Sequence, residues 1–142
     1  MMESRISPSA AVLRREQDNV IVVCGGSGEF LLASCEQYSI RNDSWRPFPP
    51  MRWPKMEFAM VEWGGGLYVF GGEAGGLFGE EEIKLAPETQ LADVITSPET
   101  GERLLATWAY DTVERWTPEK NRWELLEAKM PEARWFLAAL VY

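Results

Sequence analysis

The 142-residue chain contains no histidine. That removes the imidazole ligand on which most zinc and copper sites depend, and it leaves general acid–base work to carboxylates. Cysteine is nearly as scarce, with only Cys24 and Cys35. Two thiols alone do not complete a zinc site. We read them as buried thiols in a reducing compartment. A disulfide is the alternative, if residues 20–24 and 34–40 pair as a hairpin that sets the two opposite each other.

Basic residues are also in short supply. Lys and Arg number 14 against 22 Asp and Glu, a net charge of −8. Nucleic acid is excluded as a partner, because its binding needs clustered cations to displace counterions. Long hydrophobic runs are missing too. The longest, Val20–Cys24 and Phe136–Tyr142, fall far short of the roughly 20 residues that span a bilayer as a helix. Residues 1–13 carry Glu3 and Arg5 and lack an apolar centre, so they do not read as a signal peptide. A cytoplasmic location is expected, with the nucleus as the alternative. No membrane partner and no cofactor are expected.

What the chain does have is a repeat. Val22-Val-Cys-Gly-Gly26 reappears as Tyr68-Val-Phe-Gly-Gly72. Each copy continues into a glutamate followed two residues later by an aromatic, Glu36 with Tyr38 and Glu114 with Trp116, and then into Trp45 or Trp123. Upstream, Arg5 begins a segment that is matched at Lys55 and again at Arg134. The first spacing is 50 residues and the second 79, so the second copy holds about 29 more. A period near 50 belongs to a propeller blade.

Each copy reads as four short strands. In the first these are Ser9–Arg14, Val20–Cys24, Cys35–Ile40 and Ser44–Phe48, with Asp18-Asn19 and Asn42-Asp43 as turns and prolines 47, 49 and 50 ending the pairing. In the second they are Phe58–Trp63, Leu67–Phe70, Thr112–Thr117 and Arg122–Leu126, with Gly64–Gly66 as a hairpin turn. A further inner strand is expected over Phe136–Tyr142. Gly25, Gly26, Gly71 and Gly72 are read as structural, giving the backbone freedom and close approach. No Lys-Ser or Lys-Thr follows them, so a phosphate-cradling loop is rejected. Tyr38, Trp45, Trp116 and Trp123 are expected to fill the wedges between blades.

Together these features resemble the kelch repeat: the apolar strand ending in Gly-Gly, the Glu-x-aromatic strand, the Asn-x-x-Trp turn at Asn42 to Trp45, and the Met-x-x-x-basic linkers at Met51 to Lys55 and Met130 to Arg134. The second turn, Asn121-Arg122-Trp123, is one residue shorter, and Lys55 stands where the family usually has arginine. The resemblance implies an all-β fold of kelch-type β-propeller blades. We expect one partial domain over 1–142, with a four-stranded antiparallel blade at about 5–50, a second at about 55–127, and one inner strand of a third at 134–142. It implies a protein–protein interaction module, a substrate-recognition or scaffold element such as serves ubiquitin-ligase adaptors, with self-association as one way to complete the propeller. A truncated product without independent function is one alternative. An enzyme of the galactose oxidase type is another, which the missing histidine disfavours.

The extra residues fall at about 74–110, between the second and third strands of the second copy. This segment is expected to open as a flexible acidic tip, with Gly75-Gly76-Leu77-Phe78-Gly79 leading into Glu80, Glu81 and Glu82. A small hairpin joins 93–96 to 103–108, and part of 85–94 is a candidate helix. Loops of this length either carry function or are simply solvated. Candidate partner-binding residues are Trp53, Glu80, Glu81, Glu82, Arg134 and Trp135.

Overall fold

The computed structural model describes residues 1–78, 89–96, 98–101, 103–135 and 137–139. Its first sheet is the antiparallel meander β1 (Ser9–Leu13), β2 (Val20–Cys24), β3 (Cys35–Ser39) and β4 (Ser44–Phe48), in that spatial order. Its second holds β5 (Ala59–Trp63), β6 (Gly66–Phe70), β10 (Thr112–Thr117) and β11 (Arg122–Lys129), again with the sequence-order neighbours paired once the insertion is set aside. Both are four-stranded antiparallel propeller blades. The inner strands β1 and β5 lie against each other.

Local chemistry explains the elements. Val20, Val22 and Val23 are β-branched and buried, which suits a central strand covered on both faces. Gly64 and Gly65 both take positive φ, the requirement of a two-residue hairpin turn. The turn between third and fourth strands uses Asp43 in one blade and Asn121 in the other, each at φ 47°. Each stands two residues before its tryptophan, so the apparent one-residue difference between the turns disappears once Asp43, not Asn42, is recognised as the left-handed position. Pro47 does not end the pairing. It lies inside β4, opposite Glu36, and is tolerated because β4 is an edge strand.

The core runs through both blades and the seam between them. Leu13, Val22, Leu67 and Val69 are almost fully buried. At the seam, the Phe48 ring meets Trp116 at 4.7 Å between centroids, and the Trp123 indole N–H donates to the Pro49 carbonyl at 2.9 Å. Trp116 and Trp123 are cross-strand partners, as are Tyr38 and Trp45. The first pair is buried against the preceding blade, whereas Tyr38 and Trp45 are only half-buried.

Four expectations change. Cys24 and Cys35 are register partners on β2 and β3 and form a disulfide, not two thiols. Residues 75–78, read as the start of a flexible tip, belong to strand β7 (Glu73–Phe78). Of the candidate helix, residues 89–94 belong instead to β8 (Thr89–Thr96), which pairs with β9 (Arg103–Tyr110) as the expected hairpin, both strands running further from its turn. β7, β9 and β8 form a separate three-stranded antiparallel sheet. Of the inner strand expected over 136–142, residues 137–139 carry no strand, and 136 and 140–142 lie outside the described residues.

Candidate partner-binding face

The connections between second and third strands share one face with the linkers that join the blades. Main-chain hydrogen bonds tie them together. Gly26 N–H donates to the Lys55 carbonyl and Gly72 N–H to the Arg134 carbonyl, both at 2.9 Å. Gly25 and Gly71 make this approach feasible. An added Cβ would lie 2.5 Å from the Lys55 carbonyl oxygen in the first case and 2.6 Å from that of Arg134 in the second.

Beneath this face two ion pairs repeat. The Arg5 guanidinium donates to Glu36 Oε1 from Nε and Nη2, at 3.1 and 3.0 Å, and also to the carbonyls of Gly25 and Ser34. The Lys55 ammonium donates to Glu114 Oε1 at 2.7 Å, with both side chains wholly buried. A backbone N–H three residues before each cation completes the carboxylate: Met2 for Glu36 and Arg52 for Glu114. Burial pushes the Glu36 carboxyl up, but the Met2 N–H and then the Arg5 guanidinium outweigh it and hold the group below the ordinary 4.5. Tyr110 lies with its ring 4.2 Å from Lys55 Nζ and covers the second pair. Sequence reasoning missed Tyr110 because it lies in the insertion, outside the repeat.

The face itself is mixed. Phe30 and Ile6 are exposed, at 75% and 68%, and Ser27 bridges Ile6 to Leu31, the residue after Phe30. Neither was singled out in the sequence. Phe30 is an apolar residue in a glycine-rich connection, and Ile6 lies in the segment that precedes β1. Trp53 is half-buried with the Arg52 guanidinium stacked 5.5 Å from its ring. Arg134 is exposed and Trp135 half-buried, on the other linker. Glu80, Glu81 and Glu82 lie outside the described residues. β7 leaves this face directly after Gly72, with Glu73 bridged to Met56 of the linker, and β9 returns to it at Tyr110. Burial, and then the neighbouring Glu57 charge, raise the Glu73 carboxyl above its ordinary range. Among the described residues no group of three or more His, Cys, Asp or Glu is placed to hold a metal.

A family model described as the kelch motif matches residues 16–52. The first blade thus carries a kelch motif. The chain is similar to human Kelch-like protein 28, with 28% identity over 145 residues that cover 99% of this chain and 21% of that protein. Among solved structures it is similar to that titled "Structure of YjhT", at a TM-score of 0.60 and 17% identity, covering 99% of this chain and 32% of that one. That second likeness speaks to the fold alone. The chain spans about a fifth of the curated relative it matches. The kelch-motif match ends at the first linker. The second blade, interrupted by the β7–β9–β8 sheet, repeats its strand order nonetheless.

Proposed function

We propose that this kelch-repeat chain is a protein-interaction module, with no chemistry of its own, which engages a protein partner through the face formed by the second-to-third-strand connections and the inter-blade linkers. The observation that carries this reading is the β7–β9–β8 sheet, built into one such connection and anchored on that face at Glu73 and Tyr110. An inserted sheet enlarges the surface of that face while the blades keep their packing. Exposed Phe30 and Ile6 add apolar contact beside it. A substrate-recognition or scaffold role, of the kind that serves ubiquitin-ligase adaptors, is the specific form we favour. The likeness to a Kelch-like protein supports it.

Site-specific photocrosslinking tests the assignment. A crosslinker at Phe30 is expected to capture a protein partner, and one at Arg41, in the third-to-fourth-strand turn at the opposite end of the blade, is not. Deleting residues 75–108 is expected to weaken capture at Phe30. Equal capture at both positions, or capture indifferent to the deletion, would refute the face.

A further inference from the structure

The face of the first sheet that turns to the second blade changes character along its length. Val22, Cys24 and Phe48 lie on it and belong to the core, with Phe48 against Trp116. Gln37 is the register partner of Val22, and side chains alternate along β3 and β4. Gln37, Ser39, Ser44 and Arg46 therefore share this face, toward the end that bears the third-to-fourth-strand turn. There the wall is polar. A cavity of about 110 Å³ opens in it, and its lining includes Arg15, Asp18, Asn42, Ser44 and Arg46.

The charges around the cavity are unbalanced. Arg15 Nη1 donates to Gln37 Oε1 at 3.4 Å, and Arg46 is the register partner of Gln37, so two arginines flank one glutamine. Arg14, next in sequence to Arg15, is paired with Glu62 at 2.8 Å. Neither Arg15 nor Arg46 has a carboxylate partner among the described residues. The one carboxylate in the lining, Asp18, accepts from the Ser39 hydroxyl at 2.5 Å. A second observation comes from Ser44, which is half-buried in the cavity wall. Its Oγ is closed to solvent and has no hydrogen-bond partner among the described residues. A buried polar atom left so costs stability until a ligand or an ion bonds it.

We propose that this cavity binds a small phosphate-bearing molecule, either inorganic phosphate or a phosphate monoester. The donor set is the reason. Two guanidinium groups, the Asn42 carboxamide and the Ser44 hydroxyl each have a proton to give to an oxyanion, and the arginine fork matches phosphate oxygens. A metal ion or an amine would meet a single carboxylate beside two permanent positive charges. The volume admits one phosphate group and little more. Asp18 limits the affinity by like-charge repulsion. The site lies at the end of the blade away from Phe30 and the linkers, and it does not depend on the partner-binding reading.

The test titrates inorganic phosphate, phenyl phosphate and acetate into the full chain at constant ionic strength and follows amide chemical shifts by NMR. Shifts clustered at Arg15, Asp18, Asn42, Ser44 and Arg46 are expected with phosphate and weaker ones with acetate. Tighter binding of phenyl phosphate assigns the site to a monoester, and tighter binding of phosphate assigns it to the free anion. Arg15→Gln and Arg46→Gln are each expected to weaken binding about tenfold. Asp18→Asn keeps an acceptor for Ser39 and is expected to tighten it. Ser44→Ala is expected to weaken binding and to leave the ligand-free chain no less stable in urea, which a purely structural serine would not do. Shifts scattered over the surface, acetate bound as well as phosphate, or an affinity unchanged in both arginine variants would overturn the proposal.

Discussion

Lys55 Nζ lies 2.7 Å from Glu114 Oε1, and neither side chain is reached by solvent. Removing one partner strands the other's charge in the core. Lys55→Ala or Glu114→Ala is expected to cost about 3–5 kcal/mol in urea unfolding. The double replacement Lys55→Met with Glu114→Leu is expected to cost much less than the two single losses together. Additive losses would mean that the pair is not coupled.

The Lys55 joint is also incompletely bonded. In the first blade Arg5 Nη2 donates to the Ser34 hydroxyl at 2.9 Å. The corresponding Thr112 hydroxyl, fully buried, has no hydrogen-bond partner among the described residues. Lysine presents one nitrogen where arginine presents a fork. Lys55→Arg is expected to bond Thr112 and Glu114 together and to stabilise the chain by about 1 kcal/mol. A matching change in Thr112→Val, in which Lys55→Arg gains nothing, would check the assignment.

The Cys24–Cys35 crosslink joins facing residues of β2 and β3 and closes a short loop that carries the exposed Phe30. Cys24→Ser with Cys35→Ser, or reduction, is expected to lower stability by about 2–3 kcal/mol through the freed unfolded chain. Thiol titration of the unfolded, unreduced protein is expected to find no free thiol.

Acid acts on Glu36 and Glu73 with opposite sign. The folded-state carboxyl of Glu36 lies below 4.5, so its contribution is complete above that pH and is lost as pH falls through the folded value. The Glu73 carboxyl is raised, so the folded state holds that proton more firmly than the unfolded chain and gains stability as pH falls through its folded value. Glu36→Gln is expected to flatten the acid limb of the urea midpoint plotted against pH. Glu73→Gln is expected to raise the midpoint near neutrality. The reverse order would refute both assignments.

Glycine substitutions separate packing from backbone strain. Gly25→Ala puts a methyl against the Lys55 carbonyl and the Phe58 ring and is expected to cost at least about 2 kcal/mol. Gly65→Ala meets nothing within 4 Å and carries only the penalty of its positive φ, about 1 kcal/mol. Thermal unfolding of the two variants reports the difference.

Much of the fold was legible because the repeat is written in backbone requirements. Gly-Gly pairs, turn residues and alternating apolar strands each admit few local conformations, and their recurrence at Val22–Gly26 and Tyr68–Gly72 marked equivalent strands. Arg5, Lys55 and Arg134 could be aligned by the same means. What each of them does could not. Whether the cation is buried depends on a glutamate 31 or 59 residues away, and that separation changes with the insertion. The insertion was misread at residues 75–78 because glycines suggested a loop, whereas pairing with β9 holds them as a strand. The cysteines were read as thiols because a reducing compartment was expected, whereas the register of β2 and β3 sets them face to face in a disulfide. The sequence alone determined the strands and turns of the two blades and their repeat, since these follow from local conformational preference. Only the tertiary structure decided which charges are buried, which aromatics are covered, and that Arg134 is held in place with its side chain exposed, because these depend on contacts between segments distant in the chain.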